Sequence, residues 1–142
     1  MNATDYMACY NAPLTGNLRW PAWEALLDTL REMEGDWYVY CVGEAVPQHP
    51  MEPTRFLTFL SEIDQLLRND HREDYLGIVY ADNPQQPAFI KIYDPNNLGA
   101  SCGSSGQRIL PGWTLSRVPP IDLHAAFPPP GNRRRWWQKI LG

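Results

Sequence analysis

The 142-residue sequence contains no apolar run long enough to cross a bilayer. Its first residues, Met1 to Gly16, lack the basic start and the apolar stretch of a signal peptide. Internal repeats are also missing, so a single globular unit is expected rather than a repeat array. From these absences we expect a cytoplasmic protein without a membrane-spanning helix.

Cysteine and histidine are scarce and scattered. The three cysteines are Cys9, Cys41 and Cys102, and the three histidines are His49, His71 and His124. An odd number of separated cysteines fits neither a disulfide framework nor the paired spacing of a zinc site. No two histidines have the spacing that places both on one side of a metal ion. We therefore expect reduced thiols, no metal site and no cofactor.

Composition and charge are those of a small folded protein with an unusual C-terminus. Hydrophobic residues make up 44% and aromatic residues 12% of the chain, which is typical of a globular domain. All sixteen acidic residues precede position 131, whereas residues 131–142 contain four basic residues and none that is acidic. The sequence thus predicts an acidic body, a single domain over 1–118, and a proline-rich linker with a basic tail over 119–142.

Hydrophobic periodicity predicts two helices. Apolar residues recur at helical spacing from Trp23 to Met33 and again from Phe56 to Leu67, which indicates helices over about 21–34 and 53–69. Pro21 is suited to the first turn of the former helix, and Gly35 to the turn that ends it. The charged run that follows the second helix, residues 68–74, is predicted to be a solvated helix end.

Four segments have the pattern of β-strands. They are residues 37–42, 76–81, 88–93 and 113–117. The run of six apolar or aromatic residues in 37–42 is typical of a strand covered on both faces. Residues 82–87 predict a hairpin, and helix 53–69 is long enough for a crossover between parallel strands. We expect an α+β fold, with a small mixed sheet of about four strands covered by two helices on one face.

The segment between the last two predicted strands is rich in glycine and serine and has a cysteine at its centre. Cys102 and Arg108 have the Cys-x5-Arg spacing, which resembles the signature of cysteine-dependent phosphatases. That resemblance implies Cys102 as nucleophile and Arg108 as an oxyanion clamp. The candidates for the acid or base of such an enzyme are His49, which follows the first predicted strand, and Asp94. The chain departs from the family pattern because eight residues, 94–101, separate the strand from Cys102 and because Pro111-Gly112 follows soon after Arg108. A long binding loop over 94–112 is the other interpretation of this segment.

The basic tail has three possible partners. Four positive charges with two tryptophans are compatible with nucleic acid or an anionic membrane, but the acidic body and the single short segment disfavour both. An acidic protein surface, on this chain or on a partner, suits the charge asymmetry best, with the tryptophans as buried anchors.

The sequence therefore predicts a non-catalytic accessory or adaptor protein that binds another protein through the tail and the 94–112 loop. Its expected binding residues are Gly103, Ser104, Ser105, Gly106, Trp113, Arg133, Arg134, Arg135, Trp136 and Trp137. The alternative is a cysteine-dependent enzyme of phosphatase or thiol-transfer type that uses Cys102, Arg108, His49 and Asp94. The oligomeric state is left open by the sequence.

Overall fold

A computed structural model describes residues 3–71, 75–95, 110–123 and 131–141. Among these residues there are four helices and five strands, which confirms the predicted α+β class. The helices are α1 (Ala3–Asn11), α2 (Trp20–Glu32), α3 (Pro53–Asp70) and α4 (Gly131–Leu141). The strands are β1 (Thr15–Arg19), β2 (Tyr38–Cys41), β3 (Tyr75–Ala81), β4 (Phe89–Ile92) and β5 (Trp113–Ser116). No described helix is both long and apolar enough to pass through a membrane.

The strands form one open sheet in the order β1-β3-β4-β5-β2. Every neighbouring pair is antiparallel. The predicted hairpin between β3 and β4 is confirmed, but the mixed sheet and the parallel pairing of β2 with β3 are wrong. Helix α3 does connect these two strands, yet β2 pairs with β5 at the far edge and two strands lie between β2 and β3. The sheet has five strands rather than about four.

Helices α2 and α3 form where the hydrophobic periodicity predicts them. In each, proline occupies the first turn, where the missing N–H leaves no hydrogen bond broken. The carboxylate of Glu52 additionally caps α3 by accepting hydrogen bonds from the backbone N–H groups of Thr54 and Arg55. Gly35 follows α2 with a φ of +103°, a conformation that glycine adopts without strain.

The sheet is covered on both faces. Alternate residues of a strand point to opposite sides, so Val39 and Cys41 of β2 join the larger core with α2, α3 and α4. Tyr40 and Val42 join a second core beneath α1. The prediction that 37–42 is buried on both faces is confirmed, although β2 lies at a sheet edge. The expectation of two helices on one face is confirmed for α2 and α3, with α4 added to that face.

Helix α1 and strand β1 have no clear signal in the sequence. The strand is only five residues, TGNLR, and lacks an alternating apolar pattern; it is held by antiparallel pairing with β3. The helix contributes Tyr6 and Tyr10, one turn apart, to the second core. Both elements depend on tertiary contacts rather than on local preference.

The buried hydroxyl of Tyr6 fixes α1 to the sheet. Its oxygen lies 2.7 Å from Oγ1 of Thr114, and both residues are fully buried. Burial raises the pKa of Tyr6, so the phenol stays neutral and remains able to donate or accept this hydrogen bond.

Substitution Tyr6→Phe should lower the free energy of unfolding by about 1–3 kcal/mol, because it leaves the Thr114 hydroxyl buried without its partner. Urea denaturation followed by circular dichroism measures this. The paired variant Tyr6→Phe/Thr114→Val removes both hydroxyls and should be more stable than Tyr6→Phe alone. Equal stability of the two variants would show that the unpaired Thr114 hydroxyl costs nothing in the core.

Candidate functional site

Helix α4, the predicted basic tail, packs on the body of the protein through one side. Arg133, Trp137 and Ile140 are buried, and Trp136 is half-buried. Their spacing of i, i+3, i+4 and i+7 places all four on one face of a helix. The tail that the sequence predicts to be basic is therefore helical, and the helix begins at Gly131.

A buried ion cluster holds the beginning of α4. Arg133 donates from Nε to Oδ2 of Asp94 at 2.9 Å and from Nη2 to Oδ1 of Asp94 at 3.2 Å, a two-pronged contact. It also donates from Nη2 to Oδ2 of Asp70. The side chains of Arg133 and Asp94 are 7% and 5% exposed, and that of Asp70 is 33% exposed. The arginine thus joins the end of α3 to the residues that follow β4.

The two carboxylates compensate for the burial of the guanidinium. Burial alone would lower the pKa of Arg133, but the hydrogen bonds and negative charges of Asp94 and Asp70 outweigh it and raise the pKa. A second ion pair lies nearer the surface, where Nε of Arg134 is 3.4 Å from Oε1 of Glu44. At this end of the sheet the acidic body neutralises part of the basic helix.

Aromatic contacts hold the middle of α4. The ring of Trp136 lies 5.6 Å from that of Trp113 and 6.1 Å from that of Phe59, both at steep angles. The ring of Trp137 also lies 6.1 Å from that of Phe59 and is nearly perpendicular to it. Such edge-to-face pairs contribute about 0.5–1.5 kcal/mol beyond the area they bury. Both tryptophans of the tail therefore serve as anchors on the protein's own surface.

The ends of the 94–112 loop meet beneath α4. A Cβ atom added at Gly112 would lie 3.2 Å from Cβ of Asp94, so only glycine fits there without a shift of its neighbour. The backbone of Gly112 is also fixed on both sides, since its N–H donates to Ile92 and its carbonyl accepts from Val42, each at 2.9 Å. Arg133 binds Asp94 at this base, so the tail and the loop share one anchoring point.

The opposite side of α4 is basic and exposed. We define the basic ridge as Arg134, Arg135 and Lys139, which lie on the solvent side of the helix. Arg134 is 54% exposed even with its ion pair to Glu44. An ordered helix thus displays three positive charges on a protein with a formal net charge of −4.

The residues predicted as functional are distributed unevenly over this arrangement. Arg133, Trp113 and Trp137 are buried, Trp136 is half-buried, and Arg134 and Arg135 are exposed. His49 is exposed in the segment between β2 and α3. The predictions for Cys102, Gly103, Ser104, Ser105, Gly106 and Arg108 lie outside the described residues. Also outside them is the second half of the proline-rich linker, residues 124–130.

Asp94, the candidate acid or base of the thiol-enzyme alternative, is part of the ion cluster. Both of its carboxylate oxygens accept hydrogen bonds from Arg133. With both oxygens engaged by Arg133 and a side chain only 5% exposed, this carboxylate faces the body of the protein rather than a substrate. The thiol-enzyme hypothesis therefore depends on Cys102, Arg108 and His49.

Two cysteines are described, and neither environment favours a thiolate. Burial raises the pKa of Cys41 to about 12, and the nearby carboxylates of Glu44 and Asp94 act in the same direction. The indole N–H of Trp113 makes no regular hydrogen bond among the described residues, yet as a weak neighbouring donor it slightly opposes this rise. Burial also raises the pKa of Cys9, which is partly exposed.

Alkylation of the folded protein at about pH 8 should leave Cys41 unmodified and should modify Cys9 more slowly than a free thiol, which ionises near pH 8.5. Mass spectrometry at a series of pH values measures each cysteine separately. Modification of Cys41 at the rate of an unfolded control would show that the core is open. The same experiment decides the enzyme alternative: rapid alkylation of Cys102 well below pH 8 would indicate a stabilised thiolate, and ordinary reactivity would remove its main support.

Helix α4 docks on Asp70, Glu44 and Phe59, none of which the sequence predicts as a site residue. Asp70 lies in the charged run predicted to be a solvated helix end, and it instead pairs with Arg133. A signal was present, because an acid in the last turn of a helix is opposed by the helix dipole and is favoured only by a nearby cation. Nothing local in the sequence identifies which cation.

Comparison with protein-family models, curated proteins and solved structures finds no match. Any functional assignment therefore rests on the contacts within this chain.

Proposed function

We propose that the protein is a non-catalytic accessory or adaptor protein, which binds an acidic surface of a partner protein through the basic ridge of α4 and the neighbouring 94–112 loop. The observation that supports this is the contact of Arg133 with Asp94. It joins the tail to Asp94, the first residue of the loop, so the two segments that we expect to bind the partner begin at one point of the body.

Docking on the body makes α4 a better binding element than a free tail. A short isolated helix is marginal in water, and ordering it during association would weaken binding. The contacts of Arg133, Trp136 and Trp137 order the helix beforehand. Arg134, Arg135 and Lys139 remain on its solvent side, where positive charges speed encounter with an acidic partner and set its orientation.

Charge reversal of the ridge tests this proposal. A partner recovered from an extract of the source cells should bind Arg135→Glu/Lys139→Glu at least about tenfold more weakly than it binds the unaltered chain, since like charges across an interface cost several kcal/mol. The partner is first purified, and its affinity for each variant is then measured by isothermal titration calorimetry at low and at moderate salt.

The matched control is Arg19→Glu/Arg31→Glu, which makes the same change in net charge at two exposed positions on β1 and α2. It should bind the partner as the unaltered chain does. If both double variants weaken binding equally, net charge alone is responsible and the ridge is not the binding surface. Retained affinity of the ridge variant would also reject the proposal.

A further inference from the structure

The surface that receives α4 has a definite chemical character. We define the α4 groove by its apolar floor, Phe59 and Trp113, and by its acidic rim, Asp70, Asp94 and Glu44. Arginine enters the acidic end of this groove, and tryptophan rings lie against the apolar floor. Its complement is therefore a basic amphipathic helix with arginine and tryptophans at the spacing seen in α4.

The contacts in the groove do not depend on which copy of the chain supplies the helix. They join side chains of α4 to residues of α3, of β5 and of the segments after β2 and β4, all distant from α4 in sequence. The connection from β5 to α4, residues 117–130, contains five prolines, Pro119, Pro120, Pro128, Pro129 and Pro130. Proline-rich chain favours extended geometry, which carries a helix away from its own body as readily as back to it.

The chain must also pass from one face of the sheet to the other before it reaches α4. Ile121 and Leu123 pack with α1 in the second core, and the backbone N–H of Leu123 donates to the Tyr40 hydroxyl at 3.3 Å. Trp137 and Ile140 lie in the larger core across the sheet. Layers pack about 10 Å apart, so the connection must span on the order of 20 Å to return α4 to its own groove.

We infer that the α4 groove also accepts α4 of a second copy, so that two chains exchange this helix and form a symmetric dimer. In that dimer, Arg133 of each chain binds Asp94 and Asp70 of the other. The charge complementarity of helix and groove selects this occupant, because the helix that fits the groove in one chain fits the identical groove of another. A reciprocal exchange of this kind is closed and uses two copies of one interface.

Mass action sets the concentration at which exchange occurs. Because the contacts are the same in both states, the balance depends on the effective concentration of α4 near its own groove, which is of millimolar order for two segments joined by a short connection. The unaltered protein should therefore be mainly monomeric at about 10 μM and partly dimeric near 1 mM. Shortening the connection should shift the balance fully to the dimer.

Light scattering coupled to size-exclusion chromatography tests both expectations on the full chain and on a variant that lacks residues 124–130. In the variant, Leu123 is bonded directly to Gly131, and one peptide unit of about 3.8 Å cannot carry α4 across the sheet to its own groove. We expect a dimer fraction that rises with concentration in the full chain and a dimer at all concentrations in the variant. Adding Arg133→Ala should return the shortened variant to a monomer, because its helix has no groove of its own within reach.

The inference is wrong if the full chain stays monomeric up to about 1 mM. It is also wrong if the shortened variant folds as a monomer, or if Arg133→Ala leaves its dimer intact, which would place the interface elsewhere. If the shortened variant fails to fold, the concentration series on the full chain tests the inference by itself. These tests alter Arg133 and the connection but not the basic ridge. A negative result would therefore reject the exchange of α4 and leave the proposed partner binding unaffected.

Discussion

Arg133→Ala is expected to lower the free energy of unfolding by about 3–5 kcal/mol, or to release α4 from the body. The reason is that Asp94, whose side chain is only 5% exposed, would lose the guanidinium that binds both of its carboxylate oxygens. Asp70 would lose the same partner. Urea denaturation followed by far-ultraviolet circular dichroism measures the loss.

Release of α4 is a separate observable from global unfolding. If the free energy of docking is smaller than the penalty at Asp94, the helix detaches while the sheet remains folded, as a local opening. Trp136 and Trp137 would then enter water, and limited trypsin digestion would cleave the tail after its arginines. Tryptophan fluorescence and trypsin digestion distinguish release of α4 from global unfolding. Both outcomes follow from loss of the same buried ion cluster.

The matched control is Arg134→Ala on the same helix. Its ion pair with Glu44 spans 3.4 Å and its side chain is 54% exposed, so the expected loss is at most about 1 kcal/mol. Combining Arg133→Ala with Asp94→Asn should recover part of the stability, because the uncompensated buried charge is removed. Equal losses for Arg133→Ala and Arg134→Ala would show that the buried ion cluster contributes no more to stability than the exposed ion pair.

Local pattern predicts the elements that have a strong periodicity of their own. Helices α2 and α3 and strands β2 to β5 were found because their apolar residues repeat at a spacing set by the backbone. Helix α1 and strand β1 were missed because Tyr6, Tyr10 and the backbone of residues 15–19 are held by distant partners. The predicted parallel pairing of β2 with β3 is wrong for the same reason. A helix that connects two strands allows them to pair in parallel, but contacts with distant parts of the chain decide which strands become neighbours.

The candidate site was predictable in charge but not in geometry. The asymmetry between acidic body and basic tail indicates that the tail meets an acidic surface, and Arg133 and Arg134 do contact three carboxylates of the body. These carboxylates belong to Asp70 at the end of α3, Glu44 after β2 and Asp94 after β4. The three residues are far apart in sequence and meet only in the folded protein. The same helix keeps an exposed side, so the face that docks on the body is not the face that we propose for binding a partner.

Trp113→Ala is expected to lower the free energy of unfolding by about 3–5 kcal/mol, which is typical of removing a large aromatic side chain from a packed core. Trp113 is 1% exposed and belongs to the larger core at the start of β5. It also forms part of the floor on which Trp136 rests, with the rings 5.6 Å apart. The loss should therefore include weaker docking of α4.

Two comparisons separate this structural role from the predicted role of Trp113 in binding. Trp113→Phe keeps a ring in the core and should be less destabilised than Trp113→Ala, as measured by the midpoint of urea denaturation. The effects of Trp113→Ala and Arg133→Ala should not add, because both variants weaken the docking of the same helix. Unchanged stability of Trp113→Ala together with lost partner affinity would contradict the core position and would make Trp113 a binding residue, as the sequence predicted.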